Sequence, residues 1–309
     1  MTIIISAARA STLATAGTSN NPFVLWDNLG ASGTWSTDVG TEVNSAAYAG
    51  TGTTYDQWSA TPDANGDAAI EVDLGSAKTV SMVAIAAHNA GTIGASVSVQ
   101  YSATGAGSWV TAGAATSPTD NQSICWYFEE TSARYWRVLF DRGVTATSAA
   151  ICGVMFVGEP LTMPQSIYQG YRPPLTPTEV ALQSNVSEGG HLLGSSAVKR
   201  ASIAQAELRH LADTFIRSYG ADYYLTDESG ATITDEDGDP IEVDPVTSQK
   251  WLAFQKHFNE GNGLFWAWRP TKYGDLHYAW RNGAPIAPDN SGPRAYMNAR
   301  LEMRFYDEP

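Results

Sequence analysis

Between residues 21 and 158 apolar and polar positions alternate over short runs, and Gly, Asn, Asp and Ser separate the runs. In AAIEVDLG (68–75) Ile70, Val72 and Leu74 share one face, and TVSMVAIAAHN (79–89) reads as a second strand. ASVSVQYSA (95–103) puts Val97, Val99 and Tyr101 on one face. ICWYFEE (124–130), ARYWRVLFD (133–141) and ICGVMFVG (151–158) complete the set. No helical period of useful length interrupts them. Short strands at regular spacing predict a β-sandwich or jelly roll. Residues 1–20 read as an N-terminal arm, with IIIS able to pair with a sheet and STLATAGTSNN as loop.

Residues 159–178 contain five prolines. Proline fixes φ and removes a donor, so this stretch reads as an extended connector. The second domain spans 179–309. In ASIAQAELRHL, Ala204, Ala206 and Leu208 alternate with Gln205 and Glu207, as in a strand. A helix over 202–219 competes, because Leu208, Leu211, Phe215 and Ile216 also fit 3.6-residue spacing; the reading adopted is strand to about Leu211, then helix. TDESGATI and TDEDGDPI repeat at an eight-residue period and suggest a hairpin insertion at about 220–247. SQKWLAFQKHFNEGNG (248–263) is the clearest helix, with Trp251, Phe254 and Phe258 on one face and Gly261 or Gly263 at its end. LFWAWRP (264–270), DLHYAWRN (275–282) and AYMNARLEMRFY (295–306) read as strands. The fold class is therefore mainly β: an N-terminal jelly roll, then a β domain with a flanking α-helix.

Charge narrows the function. The chain carries a net −14 with a pI near 4.6. Nucleic-acid binding needs a basic face, so no sequence-specific nucleic-acid contact is expected. Residues 1–160 hold 13 acids and 5 bases, against 19 and 13 in residues 161–309. The first half is rich instead in Ala, Gly, Ser and Thr, as β-sandwiches are. No Lys or Arg precedes the first apolar run, unlike a secretory signal. The longest apolar runs are too short to span a bilayer, so no membrane insertion is expected. Cys125 and Cys152 make neither a disulfide scaffold nor a zinc site; buried thiols or one disulfide remain open.

Candidate chemistry is sparse. There is no GxSxG elbow, HExxH, P-loop or GxGxxG after a strand. The five histidines are dispersed. The acidic run Asp235, Asp237, Asp239, Glu242 and Asp244 fails as an EF-hand loop: Pro240 stands where Gly is needed and Val246 where Glu is. No catalytic group, metal or cofactor is expected. Trp266, Trp268 and Arg269 in LFWAWRP are candidate assembly contacts, with core packing as the plainer reading.

Two resemblances extend this. DQWSA (56–60), IEVDLGSAKTVSMVAIAAHN (70–89), VSVQYSATGAGSWV (97–110) and ARYWRVLF (133–140) occur in the order seen in the galactose-binding-like jelly roll, the discoidin or coagulation-factor C-type module, and residues 21–158 resemble it. Sugar-binding relatives use loop residues at one end of the sandwich. The resemblance therefore implies His88 and Asn89 as candidate glycan ligands, and Trp58 and Trp109 as core aromatics. The disulfide that often frames such modules has no counterpart here.

MPQSIYQGYRPPLTP, NVSEGGHLLGSS, WLAFQKHF, GLFWAWRPTKYGDLHYAW and SGPRAYMNARLEMRF resemble a tail structural protein of long-tailed phages. That resemblance implies a tail-tube-like β-sandwich with one flanking helix, forming a homo-oligomeric ring at the distal tail or baseplate. Its partners would be other tail proteins and its place the virion, assembled in the host bacterial cytoplasm. Acidity would let DNA pass such a ring without adhering. The rival expectations are a carbohydrate-binding host-surface adhesin and, less favoured, a glycan hydrolase. The latter needs two carboxylates about 5–9.5 Å apart that no motif nominates.

Overall fold

The computed structural model describes residues 3–105, 107–143, 147–167, 170–174, 179–216, 234, 245–290 and 296–306. In chain order β1 (Ile3–Ile5), α1 (Ala7–Thr15) and β2 (Phe23–Leu25) come first. Then follow β3 (Thr34–Val39), β4 (Thr41–Asn44), β5 (Trp58–Thr61), β6 (Asp67–His88), α2 (Ala90–Ile93), β7 (Ser96–Ser102), β8 (Val110–Thr116), β9 (Ile124–Asp141) and β10 (Ala150–Gly158). The rest are β11 (Leu161–Thr162), β12 (Glu179–Val186), β13 (Leu192–Leu211), α3 (Asp213–Ile216), α4 (Pro245–Asn259), β14 (Leu264–Ala267), β15 (His277–Arg281), β16 (Asp289–Asn290) and β17 (Met297–Phe305). The fold is mainly β.

Two long strands shape the first domain. The runs 68–75 and 79–89, read from sequence as separate strands, form the single strand β6, and 124–130 joins 133–141 in β9. Their antiparallel pairing breaks register between Asp73 and Lys78, where Gly75 takes φ +77°, and again between Val80 and Met82. The pair bends there, so each strand serves two layers. The first halves of β6 and second halves of β9 join β3 and β7. The second half of β6 joins β10, which in turn pairs β5, and the first half of β9 joins β1. Ile70, Val72, Val83, Ile85, Val97, Trp126, Trp136 and Val138 meet between the layers as the jelly-roll core.

The inner layer is apolar on its other face as well. Met82, Ala84 and Ala86 of β6, Cys125 and Tyr127 of β9, and Val154 and Phe156 of β10 pack against Phe23, Leu25, Phe265, Ala267 and Tyr278. Burial on both faces explains why VAIAA and ICGVMFV are continuous apolar runs rather than alternating ones. Each fully buried Phe or Met contributes about 2 kcal/mol, so this second core joins the domains firmly.

The second sheet runs β11-β2-β14-β15-β17-β13-β12. On its far face Ala204, Ala206, Leu208, Trp266, Leu301, Met303 and Phe305 meet Trp251, Phe254 and Phe258 of α4. Those three aromatics lie at helical spacing, as the sequence pattern requires. Pro245 opens α4, where a missing N–H costs nothing. Gly261 at φ +84° closes it, with Gly261 N donating to Phe258 O and Asn262 N to His257 O. The β layer that faces this sheet is supplied by the jelly roll itself.

The structure departs from the sequence reading at the N-terminus. Residues 7–15, placed in the N-terminal arm and read from residue 11 on as loop, form α1, capped by Ser6 accepting from Arg9 N at 3.2 Å. Phe23–Leu25, placed by sequence in the jelly roll, pairs instead with β14 and β11 of the second sheet, with Val24 opposite Leu161 and Phe23 opposite Thr162. The jelly roll is therefore spliced into the second domain between two paired strands. β1 crosses back and pairs in parallel with β9. Most of the expected insertion at 220–247, including the acidic run 235–244, lies outside the described residues.

Candidate functional site

His88 and Asn89 end β6. Ala87 takes φ +53°, unusual for a residue with a Cβ. It faces Gly153, whose added Cβ would come within 2.8 Å of the Ala87 Cβ. This turn drives the next side chain inward, and His88 is 4% exposed. Its Nε2 lies 2.9 Å from the Gln122 carbonyl oxygen and its Nδ1 accepts from Ala90 N at 3.3 Å. An accepting Nδ1 fixes the neutral tautomer with the proton on Nε2. Burial pushes the His88 pKa down to about 4.

The Asn89 side chain donates to Ala149 O and accepts from Ile151 N, both at 2.9 Å. The pair thus laces the end of β6 to residues 120–122 and 149–151. Both side chains hydrogen-bond the backbone; His88 is buried, whereas Asn89 is half-buried at the cavity edge. They border a cavity of about 140 Å³, shared with Gln57, Asn121 and Tyr306. Tyr306 belongs to the second domain, so this corner lies at the domain junction.

Trp58 is fully buried, and its Nε1 donates to Thr37 Oγ1 at 2.8 Å. Trp109, expected in the core, is only half-buried. The Arg137 guanidinium lies 4.2 Å from its ring centroid. Arg137 also donates to Gln100 Oε1 at 2.7 Å and to Asp38. Glu71 stands nearby, its pKa raised first by burial and then by Asp38. Arg137 points outward from β9, between core residues Trp136 and Val138, so its stack braces the outside of the sheet.

In LFWAWRP the structure separates three residues the sequence grouped. Trp266 is fully buried and donates to Tyr171 Oη at 2.9 Å, so it has no face for a neighbouring subunit. Trp268 is half-buried between Tyr171 (5.3 Å) and Tyr273 (5.0 Å, stacked at 12°). Arg269 lies over the Trp268 ring at 5.2 Å. Cys125 and Cys152 are buried free thiols, which closes the disulfide alternative. Among the described residues no group of His, Cys, Asp and Glu is arranged to hold a metal ion. No described helix is long and apolar enough to cross a membrane.

Residues 48–138 match the family described as NedA-like, galactose-binding domain. The N-terminal domain is galactose-binding-like. The match begins in the segment before β5 and ends inside β9, so it covers under a third of the chain. Solved structures similar to this chain include chitosan-binding module 1 of a chitosanase/glucanase from Paenibacillus sp. IK-5. It is 24% identical, covering 43% of this chain and 99% of that one, with a TM-score of 0.35. The CBM32 of AlyQ in complex with 4,5-unsaturated mannuronic acid is 22% identical over 43% and 96%, with a TM-score of 0.34. A Streptococcus pneumoniae fucose binding module is 17% identical over 43% and 94%, with a TM-score of 0.36. No curated protein matches the chain.

Proposed function

We propose that the chain is a non-enzymatic carbohydrate-binding adhesin, in which the galactose-binding-like domain recognises a host-surface glycan and the second domain mounts it on a virion. The observation that carries this reading is the galactose-binding match over 48–138. The mounting is rigid: the jelly roll enters and leaves the second sheet through adjacent strands, and a buried apolar layer backs it. The test is a glycan array probed with the full chain. Saturable binding to a defined set of glycans is the expected result. Binding to none of them removes the reading.

A second reading, a structural component of a phage tail tip or baseplate, is favoured by the β12–β13 ribbon. Residues 192–201 of β13 pair only with β12, while 202–211 pair with β17. At the ribbon tip Val186, Leu192 and Leu193 are 58%, 66% and 69% exposed. An isolated two-stranded ribbon is marginal in water, and an uncovered apolar tip needs a partner. On this reading the partner is a second copy of the chain, as a closed ring requires. Light scattering of the full chain measures it. Oligomers that the double substitution Leu192→Glu with Leu193→Glu dissolves support the ring; oligomers unaffected by it, or a monomer at all concentrations, count against it.

A further inference from the structure

Beside the C-terminus of α4 the domain junction opens into a cleft of about 380 Å³. A neighbouring cavity of about 210 Å³ shares Gly52, Thr53, Gly261 and Gly263 with it. The two make one groove. The first domain supplies Asp27 and the segment 50–54; the second supplies His257, residues 261–263, Tyr278 and Trp280.

The groove is rigid. Tyr278 Oη donates to Gly52 O at 2.5 Å across the junction. Phe156 packs edge-on against Phe265 (5.4 Å) and Tyr278 (6.0 Å) beneath it. Trp26 is held by Phe254 (6.3 Å) and His257 (5.4 Å). Gly52 and Gly261 present bare backbone at φ +76° and +84°. A site formed in advance spends little binding energy on ordering.

Its chemistry is selective. Among the described residues no Lys or Arg lines either cavity, and the chain carries −14 overall, so phosphorylated or carboxylated ligands find no counter-charge there. Aromatic surface from Trp26 and Trp280 stands beside Thr51 and Thr53, whose hydroxyls bond each other at 2.9 Å while Thr51 Oγ1 donates to Tyr48 O. The exposed Asp27 carboxylate enters no hydrogen bond or ion pair among the described residues. Next to Thr54 on the rim, Tyr55 is 93% exposed. Flat apolar faces beside an unspent carboxylate suit a neutral polyol ring with one apolar face.

We infer that this groove between the two domains binds a neutral saccharide unit, an inference that rests on the glycan-binding reading above. Asp27 accepts from its hydroxyls, and Trp280, Trp26 and Tyr55 offer stacking surface. The experiment is calorimetric titration of the full chain with galactose, lactose, N-acetylglucosamine, chitobiose and sialic acid. Wild type is compared with Asp27→Asn, Asp27→Ala, Thr53→Arg and Trp109→Ala. Asp27 and Thr53 are exposed, so these substitutions leave the cores intact; thermal melts verify folding.

The expected result is saturable binding of at least one neutral sugar. That binding weakens about tenfold or more in the Asp27 and Thr53 variants and is unchanged in Trp109→Ala, on the outer sheet face. Undiminished binding in the Asp27 and Thr53 variants overturns the groove and leaves the glycan reading standing. Binding of sialic acid in preference to every neutral sugar overturns the charge argument. No binding of wild type to any of these sugars overturns the groove, and the glycan reading then falls only if the array is negative as well.

Discussion

Lowering the pH from 6.5 to 4 should destabilise the protein through His88. In the unfolded chain this imidazole protonates near its usual 6.5, whereas burial holds the folded value to about 4. Protonation would also put a proton on Nδ1, facing the Ala90 N–H that it now accepts. Between the two values the unfolded state binds more protons, so stability rises with pH there and falls as pH is lowered. The full gap corresponds to about 3 kcal/mol, present above pH 6.5 and gone at pH 4. The hydrogen bond to Gln122 O and then the charge of Asp120 oppose the shift.

Other groups also titrate as the solution is acidified. Asp67 and Glu71 have raised values, each first through burial, and act in the opposite sense; Asp63 and Asp73 have lowered values and lose stabilisation below about 4. Comparison with His88→Gln cancels these contributions. Gln cannot titrate, yet its amide can still donate to Gln122 O. Urea unfolding followed by tryptophan fluorescence at half-unit pH steps gives both curves. The wild-type curve should fall about 3 kcal/mol further than the variant's between pH 6.5 and 4. Parallel curves would refute the reasoning, because a solvated or already charged His88 would produce them.

Tyr278→Phe removes the hydroxyl that crosses the junction to Gly52 O. It should cost about 1–2 kcal/mol, read as a lower melting temperature; no change would mean that water replaces the bond freely. Gly66 sits at φ +86° with its absent Cβ directed at the Gly143 carbonyl, whereas Gly17 at φ +68° faces open space. Gly17→Ala should cost about 1–2 kcal/mol of left-handed strain, and Gly66→Ala clearly more; equal melting temperatures for the two variants would defeat the close-contact argument. Burial raises both thiols, Cys152 to about 12 and Cys125 further. Ellman's reagent should therefore titrate neither in the native protein at pH 8 and both in denaturant, and rapid native labelling would contradict it.

Much of the fold was legible along the chain because burial leaves periodic traces. Ile70, Val72 and Leu74 alternate, since only one face of that half of β6 meets the core. The run from Val83 to Ala86 does not alternate, since Val83 and Ile85 face one core and Ala84 and Ala86 another. Trp251, Phe254 and Phe258 announce a helix with one buried face. Elements with little burial left no such trace. α1 buries only Leu13, so its helix rests on alanine propensity and the Ser6 cap. β2 has three residues, too few for any period to show. The jelly-roll reading of β2 followed its neighbours in sequence, whereas register with β11 and β14 decides its sheet.

Sites were harder to read because they depend on backbone direction. His88 looks like a loop residue until Ala87 turns it inward, and that turn depends on the absence of a Cβ at Gly153, over sixty residues away in the chain. Trp266 and Trp268 are two residues apart, so strand geometry gives them the same face. Burial separates them because β14 ends at Ala267, before Trp268. The groove joins segment 50–54 to 261–263, and its glycines carry no side chain for a pattern to register. Splicing explains why such a groove exists. β2 and β11, paired strand to strand, hold the inserted domain on the second sheet, and Met82, Phe156, Phe265 and Tyr278 fill the space between. The loop carrying Gly52 is thereby fixed over the end of α4. A ligand bound there touches both domains, so loosening the junction with Tyr278→Phe should weaken saccharide binding even though that residue's hydroxyl is already spent on Gly52.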